Sequence, residues 1–190
     1  ERYQYILDYL KISGFRPHQK DIVDHLMNNR NVLVVMPTGS GKSLCYWLPG
    51  LLKTDHTLVI SPLKSLMYDQ TQKMMTLRIN ATYVNSSLRA DEKKKRMEMI
   101  SRGLFKFIAV APERFMNDYN NYSFNTNDPL LSLKYSLLAI DEAHCIDKWG
   151  RKFRPAYSLL KNVREQVGKP TTVALTASAS KKVQKEITRG

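Results

Sequence analysis

Cysteine is scarce in this chain, long apolar runs are missing, and acidic residues are outnumbered. The two cysteines, Cys45 and Cys145, are a hundred residues apart. They offer neither metal-ligand spacing nor a disulfide framework, which argues against a zinc site and for a reducing compartment. No apolar run approaches the ~20 residues needed to cross a bilayer. The N-terminus lacks the charged, apolar and small-residue regions of a signal peptide, and Glu1 reads as a domain edge. A cytoplasmic protein, or a nuclear one in a eukaryote, is therefore expected. Lys and Arg number 30 against 17 Asp and Glu, giving a formal net charge of +13 and a pI near 9.8. Such an excess attracts polyanions over about 8–10 Å, and nucleic acid is the natural candidate. Evenly spread cations would serve solubility equally well, and the run Lys93-Lys94-Lys95-Arg96 reads as a solvated helix face. What the chain does have is 43% hydrophobic residues in 190, enough for the core of one domain spanning residues 1–190.

Short apolar runs alternate with helical patterns. The strand candidates are Val32 to Met36, Thr57 to Ser61, Ala81 to Asn85, Phe107 to Ala111, Leu137 to Asp141 and Thr172 to Thr176. The helical patterns run from His18 to Asn28, Lys42 to Leu52, Lys64 to Leu77, Ala90 to Arg102 and Tyr157 to Val167. This alternation predicts an α/β fold, a mainly parallel sheet with helices on both faces. Ligands bind at the carboxyl ends of the strands in such sheets. The polar stretch from Asn117 to Asp128 reads as a surface loop, and there are no internal repeats.

One of those strand ends carries Met36-Pro37-Thr38-Gly39-Ser40-Gly41-Lys42-Ser43. A strand, a Gly-bearing turn and a helix N-terminus gather backbone N–H groups around one point, where the helix dipole adds positive potential. Lys42 can then reach β- and γ-phosphates, and the Ser43 hydroxyl can ligate Mg²⁺. The strict phosphate-loop pattern has Gly where this chain has Met36, so a Gly-rich turn with a solvated Lys is the competing reading. Far downstream, Asp141-Glu142-Ala143-His144 follows the apolar run Leu137 to Ile140. A carboxylate there can hold Mg²⁺ through a water while Glu142 orients and deprotonates an attacking water. Acidic residues in the first turn of a helix would look the same. Together the two motifs predict binding and hydrolysis of a nucleotide with Mg²⁺.

Taken in order, these motifs and the segments between them resemble the first motor domain of superfamily 2 helicases. The continuation from Cys145 to Pro155 is similar to RecQ proteins in particular, as are Phe15 to Gln19, Leu33 to Thr38, Ser61 to Met67, Asn85-Ser86, Ala111 to Arg114 and Ala174 to Ala177. RecQ proteins also tend to carry Met at the Met36 position.

The resemblance implies a RecA-like P-loop domain of an ATP-dependent DNA helicase with 3′ to 5′ polarity, acting in DNA repair or recombination. Its nucleotide contacts would be Arg16 and Gln19 on the base, and Thr38, Gly39, Ser40, Gly41, Lys42 and Ser43 on the phosphates. Lys42, Asp141, Glu142 and His144 would act in catalysis, with His144 sensing the γ-phosphate and Ser43 and Asp141 serving Mg²⁺. The aromatic that often stacks on adenine is replaced by Ile12, so stacking would be weaker or supplied by Tyr9. Single-stranded or forked DNA would be gripped by Ser61, Lys64, Asn85, Ser86, Pro112, Glu113 and Arg114, although each alone would serve equally as a turn or cap. Trp149, Phe153 and Arg154 belong to an aromatic-rich loop that couples DNA contact to hydrolysis; core packing is the alternative for the two aromatics. That loop departs from the family at Asp147, Lys148, Arg151 and Lys152, where Ser, Gln or Glu, His and Asp are common. Thr176 and Ser178 would link the ATP site to a second RecA-like domain. No motif of that domain, and so no arginine finger, occurs here; the fragment alone is expected to hydrolyse ATP very slowly and to unwind nothing. A nucleic-acid-dependent ATPase that remodels without unwinding, and a non-enzymatic DNA-binding module, are the alternatives.

Overall fold

The structure, a computed structural model, describes residues 2–37, 41–118, 123–141 and 153–177. Its main sheet has six parallel strands. In chain order they are β1 (Val32–Val35), β2 (His56–Ile60), β3 (Ala81–Val84), β4 (Phe107–Val110), β7 (Tyr135–Ile140) and β8 (Thr171–Thr176). Spatially they run β1-β8-β7-β2-β4-β3, so the chain lays β1 at one edge and β2, β3 and β4 on the other side, then returns to place β7 and β8 between β2 and β1. The predicted RecA-like α/β arrangement with a parallel sheet is observed. Two short strands, β5 (Met116–Asp118) and β6 (Ser123–Phe124), pair antiparallel outside it.

Side-chain alternation along the strands explains why both faces are covered. In β2, Leu58 and Ile60 belong to one apolar cluster and Val59 to the other; in β4, Ile108 and Val110 separate from Phe107 in the same way. Successive side chains of a strand point to opposite faces, so a continuous apolar run demands two covering layers. One layer is built on α2 (Gln19–Met27) and α3 (Leu44–Leu52), joined by α1 (Gln4–Tyr9) and Met74 of α4 (Lys64–Thr76). The other contains Ile100 of α5 (Ala90–Ser101) and Leu159, Leu160, Val163 and Val167 on and just beyond α6 (Phe153–Gln166). α3 is buried along its first seven residues, and Gly50 lets it approach the sheet: a Cβ there would lie 2.6 Å from the Phe107 ring. No described helix is long and apolar enough to cross a membrane.

Several elements differ from the sequence reading. α6 starts at Phe153, four residues before the expected Tyr157, and takes Pro155 into its first turn. Proline is tolerated there because the first N–H groups of a helix have no intrahelical acceptor. The stretch taken as a surface loop contains most of β5, all of β6, and a buried residue, Asp128, which caps a 3₁₀ turn at Pro129–Ser132 by accepting from Leu130 N at 3.0 Å. The basic run on α5 is also not wholly solvated: Arg96 donates to the Tyr83 carbonyl at 2.9 Å and lies 5.0 Å from that ring's centroid.

Candidate nucleotide site at the carboxyl edge of the sheet

Strand register brings the predicted residues to one edge. Val35 pairs with Thr176, so β1 and β8 end together. Ile60 pairs with both Val110 and Ile140, and Val84 with Val110, so β7, β2, β4 and β3 end together. Ile140 pairs with Ala174, which carries β1 and β8 two residues further at this edge. Backbone bonds carry the alignment one residue further: Met36 N donates to Thr176 O at 3.0 Å, Asp141 N to Ile60 O at 2.9 Å, and Ser61 N to Val110 O at 3.0 Å. Ser43 is the N-cap of α3, which puts the positive end of that helix beside β1. Lys42 is buried at 9% exposure and Asp141 at 6%.

Tyr46 shares a cavity with the second of these, Asp141. It lies in the first turn of α3 and lines, with Asp141, Ser61 and Gln70, an internal cavity of about 20 Å³. Burial pushes the Tyr46 phenol far above its ordinary value, and the Asp141 carboxylate adds to the rise. The field of Asp141 is thus felt inside the helix that follows the phosphate loop. Sequence reasoning missed Tyr46; its signal was its position one turn beyond Lys42-Ser43.

Gln19 is 2% exposed, and its amide is engaged on both sides. Arg16 N donates to its Oε1 at 2.7 Å, and its Nε2 donates to the Gly41 carbonyl at 2.9 Å. Gly41 holds φ +82°, and a Cβ there would lie 2.5 Å from Gln19 Nε2 and 3.6 Å from Arg16 Cδ. The expected base-recognition pair is therefore attached to the phosphate loop itself. Tyr9, the possible stacking ring, is elsewhere: its hydroxyl donates to Leu77 O at 2.7 Å, in a groove with His56, Asn80 and Leu104 at the amino ends of the strands. It cannot stack on a base held at Gln19.

The expected DNA-contact residues divide in two. Lys64 and Ser86 are exposed, as is Glu113. Ser61, Asn85 and Pro112 are buried. Asn85 Oδ1 accepts from Ser87 N at 2.9 Å, the pattern of a side chain closing its own turn. Arg114 is paired with the buried Asp128, Nε to Oδ2 at 2.9 Å. Thr176 is fully buried at the end of β8. Phe153 and Arg154 open α6. Thr38, Gly39, Ser40, Glu142, His144, Trp149 and Ser178 lie outside the described residues.

The DEAD/DEAH box helicase family matches residues 16–187, which takes in every part of this site. The chain belongs to that family. Within it, the resemblance to RecQ proteins is borne out. A probable ATP-dependent DNA helicase, RecS of Bacillus subtilis strain 168, is 37% identical over 185 residues, covering 97% of this chain and 36% of the relative. The ATP-dependent DNA helicase RecQ of Haemophilus influenzae is 38% identical over 179 residues, covering 93% of this chain and 28% of its own length. The chain thus spans about a third of these relatives or less. Among solved structures, the DUF1998 helicase MrfA bound to DNA and AMPPNP superposes with a TM-score of 0.74 at 21% identity, over 100% of this chain and 28% of that one. At that identity the match speaks to the fold of this DEAD/DEAH domain.

Proposed function

We propose that this domain is the first RecA-like motor domain of a RecQ-type, ATP-dependent DNA helicase. It binds ATP and Mg²⁺, couples hydrolysis to single-stranded or forked DNA, moves 3′ to 5′, and works with a second RecA-like domain in DNA repair or recombination. The observation that carries this reading is that Lys42 and Ser43, after β1, and Asp141, after β7, stand at the same carboxyl edge with only β8 between their strands, and that Tyr46 shares a cavity with Asp141.

The donor set fits a magnesium nucleotide. Ser43 and Asp141 are hard oxygen donors, and no group of three or more His, Cys, Asp or Glu among the described residues forms a complete metal cage. Mg²⁺ is commonly held this way, by one or two carboxylates together with substrate phosphates and waters. Bound ATP supplies the phosphoanhydride, and Mg²⁺ offsets charge on its oxygens. Lys42 adds positive charge at the transferring phosphate, and the N-terminus of α3 adds oriented N–H groups. Asp141 would help to hold the metal, Glu142 would take the proton of an attacking water, and His144 would read the γ-phosphate. Gln19 and Arg16 hold the base edge while fixing Gly41. Thr176 and Ser178 pass the state of the site to the second domain, and Trp149, Phe153 and Arg154 report DNA contact.

The test is ATP hydrolysis by the full-length protein with single-stranded DNA, RNA and duplex as activators. Single-stranded DNA should stimulate most, and Glu142→Gln should lower turnover by about 10²–10⁴ while ATP still binds. DNA binding with no hydrolysis, unchanged by Glu142→Gln, would instead identify a non-enzymatic binding module. Equal stimulation by duplex or RNA without unwinding would identify a remodelling ATPase.

A further inference from the structure

A polar trough of about 590 Å³ opens at the amino-terminal edge of the sheet, the side away from the nucleotide site. It is lined by Asn29 and Asn31 before β1, Lys53 after α3, Arg164 on α6, and Lys169 and Thr171 at the start of β8. β8 is six residues long, so the trough lies about 17 Å from the strand ends that carry Lys42 and Asp141. None of its lining residues is acidic.

The hydrogen bonds within this trough consume acceptors and leave donors. Asn29 Oδ1 accepts from Lys53 Nζ at 2.7 Å and from Thr171 Oγ1 at 3.2 Å. Asn31 Oδ1 accepts from Thr172 N at 2.9 Å. Both amide orientations are thereby fixed, since an ammonium and a backbone N–H can only donate. What these two amides have left to offer is their N–H₂ groups. Lys53 Nζ keeps two further protons, and Lys169 is exposed with its ammonium unspent. Arg164 Nε donates to Thr172 Oγ1 at 2.9 Å, which holds the guanidinium at the wall. Burial lowers the Lys53 ammonium from its ordinary value, so a nearby anion would relieve a real desolvation penalty. Hydroxyls are the only side-chain acceptors remaining.

A ligand for this surface must be anionic and made of acceptors. The geometry points to a phosphodiester segment of DNA, bound here as a contact separate from the carboxyl edge. A phosphodiester offers acceptor oxygens and one negative charge per unit. An acidic peptide would bring backbone N–H donors to a trough whose amide oxygens are already occupied. The volume also lies in the range that holds a nucleotide-sized group, well above a single ion. This inference rests on the reading of the protein as a DNA-acting motor.

The experiment uses the full-length protein with a forked DNA oligomer. The double variant Lys53→Gln, Lys169→Gln keeps a donor toward Asn29 while removing two charges outside the nucleotide site. It should lower the slope of log affinity against log salt by about 1.4 for single-stranded DNA and about 1.8 for duplex. The pair Lys53→Arg, Lys169→Arg should restore the wild-type slope, and melting temperatures should match. Lysine acetylation read by mass spectrometry should show Lys53 and Lys169 protected when DNA is bound. An unchanged slope with protection confined to carboxyl-edge lysines such as Lys64 overturns the inference and leaves the helicase reading standing. Protection of Lys53 and Lys169 by an acidic peptide but not by DNA overturns it as well. A wild-type protein that binds no DNA overturns both readings together.

Discussion

At the scale of single residues, the amide of Gln19 does two things at once. It closes the turn that begins α2 by accepting from Arg16 N, and it anchors the phosphate loop by donating to Gly41 O. The φ of +82° at Gly41 is open to glycine and strained for any other residue, and the space where a Cβ would go belongs to Gln19. Gly41→Ala therefore meets two obstacles, backbone strain of about 1–3 kcal/mol and a displaced amide. Titration with a fluorescent ATP analogue should show affinity at least tenfold weaker for Gly41→Ala, equivalent to about 1.4 kcal/mol. Gln19→Ala should lose affinity as well but with a smaller fall in melting temperature, because it relieves the contact it removes. Wild-type affinity in Gly41→Ala would mean that the loop does not use this geometry.

At the scale of elements, the six strands of the sheet were legible because each is built on a short, largely apolar run bounded by polar residues. Their observed ends lie within about two residues of those expected. Their order was not legible, because inserting β7 and β8 between β1 and β2 depends on pairings between residues as far apart as Val32 and Val173. The same non-locality hid the structural use of Arg114. From sequence it is a cation at a strand end; in the fold it joins the 3₁₀ turn Pro112–Phe115 to the one at Pro129–Ser132 through Asp128. Asp128 is 3% exposed at its side chain and Arg114 is 24% exposed. Removing Asp128 leaves a mostly buried guanidinium unpaired and a 3₁₀ turn uncapped. Asp128→Ala should destabilise the domain by about 2–3 kcal/mol in denaturant unfolding. Arg114→Leu, Asp128→Leu should recover part of that loss, since apolar replacement of both partners leaves no orphaned charge. Equal destabilisation by the single and double variants would show that the ion pair is not what holds these turns together.

At the scale of the whole molecule, charge and buried phenols set opposite trends with pH. The chain carries +13 at neutrality and reaches balance near pH 9.8, so self-repulsion among its cations falls as pH rises toward that point. The tyrosines act in the other direction. Burial raises the Tyr3 phenol to about 12, helped by its hydrogen bond to Asp24 and that carboxylate's charge. Burial also raises Tyr46 and Tyr135, with Asp141 and Asp128 respectively adding to the shift. A folded-state value above the unfolded one means that the native state resists losing the proton. The corresponding stability is intact below the unfolded value near 10 and is lost as pH climbs through the folded values. Thermal melting between pH 7 and 12 should therefore stay level or rise slightly to about pH 10 and then fall steeply. Tyr3→Phe should flatten the part of that fall between pH 10 and 12. If the decline instead begins near pH 8 and is unmoved by Tyr3→Phe, another set of groups governs the alkaline limit of this fold.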